Sequence, residues 1–195
     1  MKKMVIATHN RDKFAEMKKA LITAPWEFIP AFSFPGVPDV VEDGKTLEEN
    51  SLKKASELSK FTNLPTLADD TGLFVEALFG DPGIFAARYA GEGSTYEENV
   101  KKLLRVMNNV REGTRNAIFR TVITIYFPGN NYKSVVGEVK GHITLSPRGE
   151  NGFGYDPVFC PEGFTKVFSE MSLDEKNDIS HRGRAIKAIL KYLKD

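Results

Sequence analysis

The chain has 195 residues, 41% hydrophobic and 27% charged, with 27 Lys and Arg against 26 Asp and Glu. This length suits one domain or two lobes sharing a core, and the composition excludes a disordered chain. The near-neutral balance argues against a nucleic-acid polymer as partner, and no apolar run reaches the roughly 20 residues that span a membrane. A lone Cys160 allows no internal disulfide and reads as a small core residue. The apolar stretch in MKKMVIATHN is too short for a signal peptide, so a cytoplasmic protein is expected.

In chain order, residues 4–8 (MVIAT) read as a short buried strand. After the turn HNRD, an amphipathic helix follows with Phe14, Met17, Ala20 and Leu21 on one face. T-L-E-E at Thr46 is a capping-box pattern, with Glu49 placed to bond back to the cap residue, and predicts a helix to about Phe61. LPTLA is then a strand. STYEENVKKLLRVMNN carries a second capping signal and puts Val100, Leu103, Leu104 and Met107 on one stripe. NAIFRTVITIYF and YKSVVGEVKGHITL, joined by PGNN, read as an antiparallel hairpin. SHRGRAIKAILKYLKD predicts a helix capped by Ser180 that buries Ile186, Ile189, Leu190 and Leu193. Helices alternating with strands around a hairpin give an α/β class with a mixed sheet.

Four polar clusters interrupt this pattern. Thr8, His9, Asn10, Arg11, Asp12 and Lys13 lie where a buried strand enters a helix, and the unpaired N–H groups and positive end of that helix attract anions. Read alone, the segment is better taken as an ordinary polar strand-to-helix loop. Glu42 and Asp43 are either a solvated turn, with Glu49 and Lys53 as a surface pair, or acids facing Asn50 and Lys54 one helical turn apart.

In LADDTGL, adjacent strand residues point to opposite faces, so Asp69 and Asp70 cannot share a proton unless a turn separates them. Either D-T-G is a turn with two solvated acids, or one carboxylate caps the turn while the other meets a divalent cation. Finally, RGENGFGYDPVF offers glycines for close approach, Phe153 and Tyr155 for stacking and Asp156 as an acceptor. EKNDISHRGRA adds Lys176, His181 and Arg182 as donors at a helix start.

In this order, T-H-N-R-D-K, E-D-G, E-N-S-L-K-K-A, A-D-D-T-G-L, P-G-I-F-A-A-R-Y-A-G, F-G-Y-D-P and E-K-N-D-I-S-H-R-G resemble the inosine/xanthosine triphosphate pyrophosphatase family, from Met4 to Tyr192. The resemblance implies one domain over residues 1–195, a long mixed sheet flanked by helices, two lobes with a central nucleotide cleft, and a homodimer. It implies Mg²⁺-dependent hydrolysis of deaminated purine nucleoside triphosphates (ITP, dITP, XTP) to the monophosphate and pyrophosphate. Thr8 to Lys13 and Lys54 would contact the phosphates, and Glu42 and Asp70 would hold the metal. Asp70 would also be the general base, with Thr71 touching substrate. Phe153, Gly154, Tyr155 and Asp156 would surround the base, and Lys176, His181 and Arg182 would hold its oxygen side. His9, where the family has a small or amide residue, Thr71, where serine is common, and Asn151 before Gly152 depart from the pattern. A non-catalytic nucleotide sensor and a Maf-like pyrophosphatase are the competing classes.

Overall fold

The structure, a computed structural model, describes residues 2–194. Its strands are β1 (Lys2–Ile6), β2 (Trp26–Pro30), β3 (Thr66–Val75), β4 (Pro82–Gly83), β5 (Asn116–Phe127), β6 (Asn131–Ile143) and β7 (Phe159–Pro161). The helices are α1 (Arg11–Ala20), α2 (Leu47–Thr62), α3 (Tyr96–Val106), α4 (Leu173–Ile179) and α5 (His181–Ile189). The strands form one mixed sheet in the order β2-β1-β3-β5-β6-β7, with β4 on β3. β1 is parallel to β2 and β3, while β4 and β7 run antiparallel to their neighbours. The α/β class and mixed sheet expected from the sequence are therefore present.

The chain divides into two compact units, the first comprising Met1–Asp70, Thr121–Gly137 and Arg182–Asp195, the second Thr71–Arg120 and Glu138–His181. In the first, β1 is buried on both faces, as a central parallel strand must be. Met4 and Ile6 pack with Met17 of α1, with Leu21 just after it, and with Ala185, Ile186 and Ile189 of α5. Val5 and Ala7 pack with Ala55 and Leu58 of α2. β3 continues the alternation, Leu67 joining the first cluster and Ala68 the second. The second unit has its own core, in which Leu73, Val75, Phe119, Phe159 and Phe168 meet Val100, Leu103 and Met107 of α3.

Local chemistry explains most boundaries. Thr95 and Glu98 close the capping box expected at α3. At α2, Thr46 Oγ1 accepts from Glu49 N at 3.1 Å, but the Glu49 carboxylate accepts from Lys45 N at 2.6 Å, one residue upstream of the cap expected. Lys53 pairs with Asp43 at 2.6 Å, where the sequence suggested Glu49. Four elements were not anticipated: the short strands β4 and β7, and β2 and α4. β2 (WEFIP) is a half-exposed edge strand ending in a proline, tolerated only at an edge, and its Trp26 Nε1 donates to Leu193 O. α4 is only seven residues long, too short for an apolar stripe, although Ser172 and Glu175 form a capping box at its start. Cys160 is buried in β7, as expected, and burial pushes its thiol pKa up.

Candidate active site

β3 runs straight through ADDTGL, so the turn expected at D-T-G does not exist and neither aspartate is an Asx cap. The strand's alternation instead sends the two carboxylates to opposite faces. Asp69 follows Leu67 toward α1 and α5, and Asp70 follows Ala68 toward α2. Both are buried, at 1% and 4% exposure, so each needs partners.

Asp69 meets cations. Arg182 donates to its Oδ2 through Nη2 at 3.0 Å and Nε at 3.3 Å, and Lys13 Nζ lies 3.5 Å away. Arg182 Nη1 also donates to Glu16 Oε2 at 2.7 Å. Burial alone would raise the Asp69 pKa, but Lys13, Arg182 and Lys54 outweigh it and hold the carboxyl far below the usual range. Two acids and two bases thus form a balanced buried network.

Asp70 stands in the opposite balance. Asn50 Nδ2 donates to its Oδ2 at 3.1 Å, and Lys54 Nζ lies 3.6 Å from its Oδ1. The same ammonium is 2.7 Å from Glu42 Oε1 and donates to Asp69 O at 2.6 Å. Burial raises the Asp70 pKa, Lys54 lowers it and Glu42 raises it again, and the net is upward. For Glu42, burial is outweighed by Lys54, and the pKa falls. Lys54 is pulled down by burial but held above its usual value by Asp70, Glu42 and Asp69. The Lys54–Asp70 contact favours charge on both partners, but at Asp70 burial, with the nearby Glu42 carboxylate, outweighs it. Two carboxylates therefore share one cation.

Among the described residues, no three His, Cys, Asp or Glu side chains are grouped to hold a metal ion. Glu42 and Asp70 nevertheless fit a hard divalent cation. Their oxygens already face a common positive charge, and Mg²⁺ commonly takes only one or two protein carboxylates, completing its shell with water and phosphate.

The segment before α1 differs from expectation in one respect. Asn10 Oδ1 accepts from Asp12 N at 2.9 Å and Lys13 N at 3.1 Å, so these N–H groups are capped, not open to an anion. Thr8 is buried and its hydroxyl accepts from Asn10 N, while His9 and Asp12 are exposed. The Arg11 guanidinium lies over the Phe32 ring at 5.7 Å. Thr71 is half-buried in β3.

In the second unit, Asp156 Oδ2 accepts from Phe153 N at 2.9 Å and from Lys176 Nζ at 2.6 Å. The ammonium also lies 4.7 Å from the centre of the half-buried Phe153 ring. Gly152 is required here: it adopts φ +75°, and a Cβ would fall 2.1 Å from Asp156 Oδ2. Gly154, at φ +63°, keeps the loop turning. His181 is buried, stacked on Phe119 with ring centres 4.4 Å apart.

Two of the residues expected at the base are buried and engaged by protein partners. Tyr155 is 5% exposed and donates its hydroxyl to Ala86 O at 2.9 Å, so its ring supports the loop from the core and offers no face for stacking. Arg182 belongs to the Asp69 network of the first unit, its guanidinium engaged by two carboxylates. The sequence reading missed Glu16 and gave Asn50 no role. Glu16 could have been noticed as an acid on the apolar face of α1, three residues from Lys13 and beside Met17.

A hollow of about 660 Å³ in the second unit, lined by Phe74, Ile118, His142 and Phe164 among others, contains none of the expected residues.

Comparison with known proteins bears on this arrangement. A model of the Ham1 family matches residues 4–192. The chain is 46% identical to the dITP/XTP pyrophosphatase of Geobacter sulfurreducens, covering 99% of this chain and 97% of that one. It is 39% identical to the dITP/XTP pyrophosphatase of Bacillus subtilis, covering 99% and 98%. Among solved structures it resembles a HAM1 protein from Coxiella burnetii, with a TM-score of 0.88, 39% identity and coverage of 99% and 98%. It also resembles the Staphylococcus aureus Ham1 protein, with a TM-score of 0.86, 38% identity and coverage of 98% of each chain.

Proposed function

The chain belongs to the Ham1 family, and on that premise we propose that it hydrolyses deaminated purine nucleoside triphosphates such as dITP, ITP and XTP to the monophosphate and pyrophosphate. The observation that carries this reading is the pairing of half-buried Glu42 with buried Asp70 around the Lys54 ammonium. Two acids sharing one cation suit a site that receives a divalent cation together with an anionic substrate.

A Mg²⁺ ion held by Glu42 and Asp70 would supply charge neutralisation for the phosphate oxygens. Asp70 accepts the proton of the attacking water, and its upward-shifted pKa makes it a stronger base than an exposed aspartate. The water oxygen bonds to the α-phosphorus as the bond to the β-phosphate bridging oxygen breaks, so pyrophosphate leaves. Lys54 gives its charge to the phosphate oxygens, and the Thr8–Lys13 segment lines their approach. Arg182 steadies the site through its bonds to Asp69.

At the base end, Lys176 is fixed by Asp156 and stands over Phe153, and an ammonium there would pair with a 6-oxo acceptor and not with a 6-amino donor. A site built from such donors discriminates by up to roughly 10⁴-fold, because the mismatched substrate leaves buried polar groups unpaired. Phe153 and Gly154 contact the base, with His181 beside them, and Tyr155 holds the loop.

A pyrophosphate-release assay across ITP, dITP, XTP, ATP and GTP, with and without Mg²⁺, tests the reading. Release from the deaminated purines only with Mg²⁺ is expected. Binding of ITP without release would show a sensor instead. The homodimer implied by the resemblance and a cytoplasmic location belong to the same proposal, the first checked by sedimentation. No helix among the described residues is long and apolar enough to cross a membrane.

A further inference from the structure

Asn50 is 2% exposed, in the first turn of α2, and uses both ends of its amide. Its Nδ2 donates to Asp70 Oδ2 at 3.1 Å, and its Oδ1 accepts from Gly44 N at 2.8 Å. Gly44 follows Glu42 by two residues, so one side chain ties the strand carrying one acid to the loop carrying the other. The packing leaves no slack, since a Cβ on Gly44 would lie 2.6 Å from Asn50 Oδ1 and 2.8 Å from Glu49 Cβ. A buried amide with its donor and its acceptor each engaged is held in one orientation.

We propose that Asn50 is a positioning residue that sets the separation and direction of the Glu42 and Asp70 carboxylates for a divalent cation, with Gly44 as the contact it works through. The inference rests on the proposed metal role of those two acids. Glu42 sits on a loop outside any helix or strand and its side chain is 31% exposed; Lys54 draws its carboxylate toward Asp70, and the peptide two residues on anchors the loop's backbone there. Asp70 has its own fixed points: Thr121 Oγ1 donates to its carbonyl at 2.9 Å, and Ser51 Oγ donates to Ala68 O at 3.1 Å. Those bonds hold the strand. The Asn50 amide joins the carboxylate of Asp70 to the backbone of the Glu42 loop, whereas Lys54 reaches the two acids only through their side chains.

The test is calorimetric titration of Mg²⁺ into the nucleotide-free protein, beside melting in EDTA. Asn50→Ala should weaken Mg²⁺ binding by roughly tenfold to a hundredfold, the range for losing a residue that orients metal ligands. Ser51→Ala removes a neighbouring buried bond that does not touch the acids, and should lower Tm while leaving the Mg²⁺ midpoint in place. Gly44→Ala attacks the link from the loop side and should weaken Mg²⁺ as well, carrying the test if Asn50→Ala fails to fold. A wild-type Mg²⁺ midpoint in Asn50→Ala or Gly44→Ala, or an equal shift in Ser51→Ala, overturns the proposal. Glu42→Gln and Asp70→Asn separate it from its premise: if they bind Mg²⁺ normally, the metal assignment itself is wrong.

Discussion

The two faces of β3 treat adjacent aspartates in opposite ways. On the α1 and α5 face, Asp69 is enclosed by Arg182, Lys13 and Glu16, and its charge is more than compensated. On the α2 face, Asp70 and Glu42 share one ammonium, and the Asp70 carboxyl is pushed up. One face is electrostatically closed, the other has an acid in excess. A closed network stabilises a fold, whereas an excess of buried acid is a cost that a bound cation removes. The difference separates a structural charge from a functional one at neighbouring positions.

The sharpest way to break this comparison is to exchange each acid for its amide. Asp70→Asn should lower kcat with ITP by roughly 10³-fold, the middle of the range for a lost general base. Its metal-free Tm should not fall. A carboxyl with a raised folded pKa supports the fold while protonated, below 3.8, and opposes it as pH rises through the folded value, so at neutral pH its charge is no asset.

Asp69→Asn should instead destabilise by about 3 kcal/mol, since Arg182 and Lys13 lose their shared counter-charge, and lower Tm by roughly 6–12 °C. The sign with pH follows from its depressed pKa. Asp69 contributes its full stabilisation above the unfolded value of 3.8 and loses it as pH falls toward the folded value. Denaturant melts below pH 4 should therefore show wild type converging on the Asp69→Asn variant.

A third substitution sharpens the contrast. Lys54→Met removes the shared cation, so metal-free protein should melt lower, Mg²⁺ should bind the nucleotide-free protein more tightly, and turnover should fall. Unchanged Mg²⁺ binding would show that the ammonium and the metal do not compete. The smallest effect belongs to the second unit, where Tyr155→Phe loses the bond to Ala86 O and should cost about 1 kcal/mol with KM for ITP little changed. A large rise in KM would return Tyr155 to the base site.

Much of this was legible before any coordinates. The apolar spacing of α1 and α3, the Thr46 and Thr95 caps and the long hairpin follow from local periodicity and capping chemistry, which act over a few residues. The α/β class followed from their order. β2 and α4 carry too few residues for a periodic signal, and the continuation of β3 through D-T-G ran against its turn-forming composition because the flanking strands and α2 hold it extended. Arg182 and Tyr155 were chemically plausible contacts for a base, but nothing in a local pattern says that a guanidinium will find Asp69 more than a hundred residues away, or that a ring will point inward.

By itself the sequence determined which residue types stand at each element's ends, that two carboxylates adjoin in an apolar strand, and that extended backbone would turn them apart. Only the tertiary structure decided what each one meets. Partners such as Arg182, Lys54 and Asn50 come from distant segments, and a buried charge takes its pKa and its role from whichever of them the packed elements bring within a few ångströms.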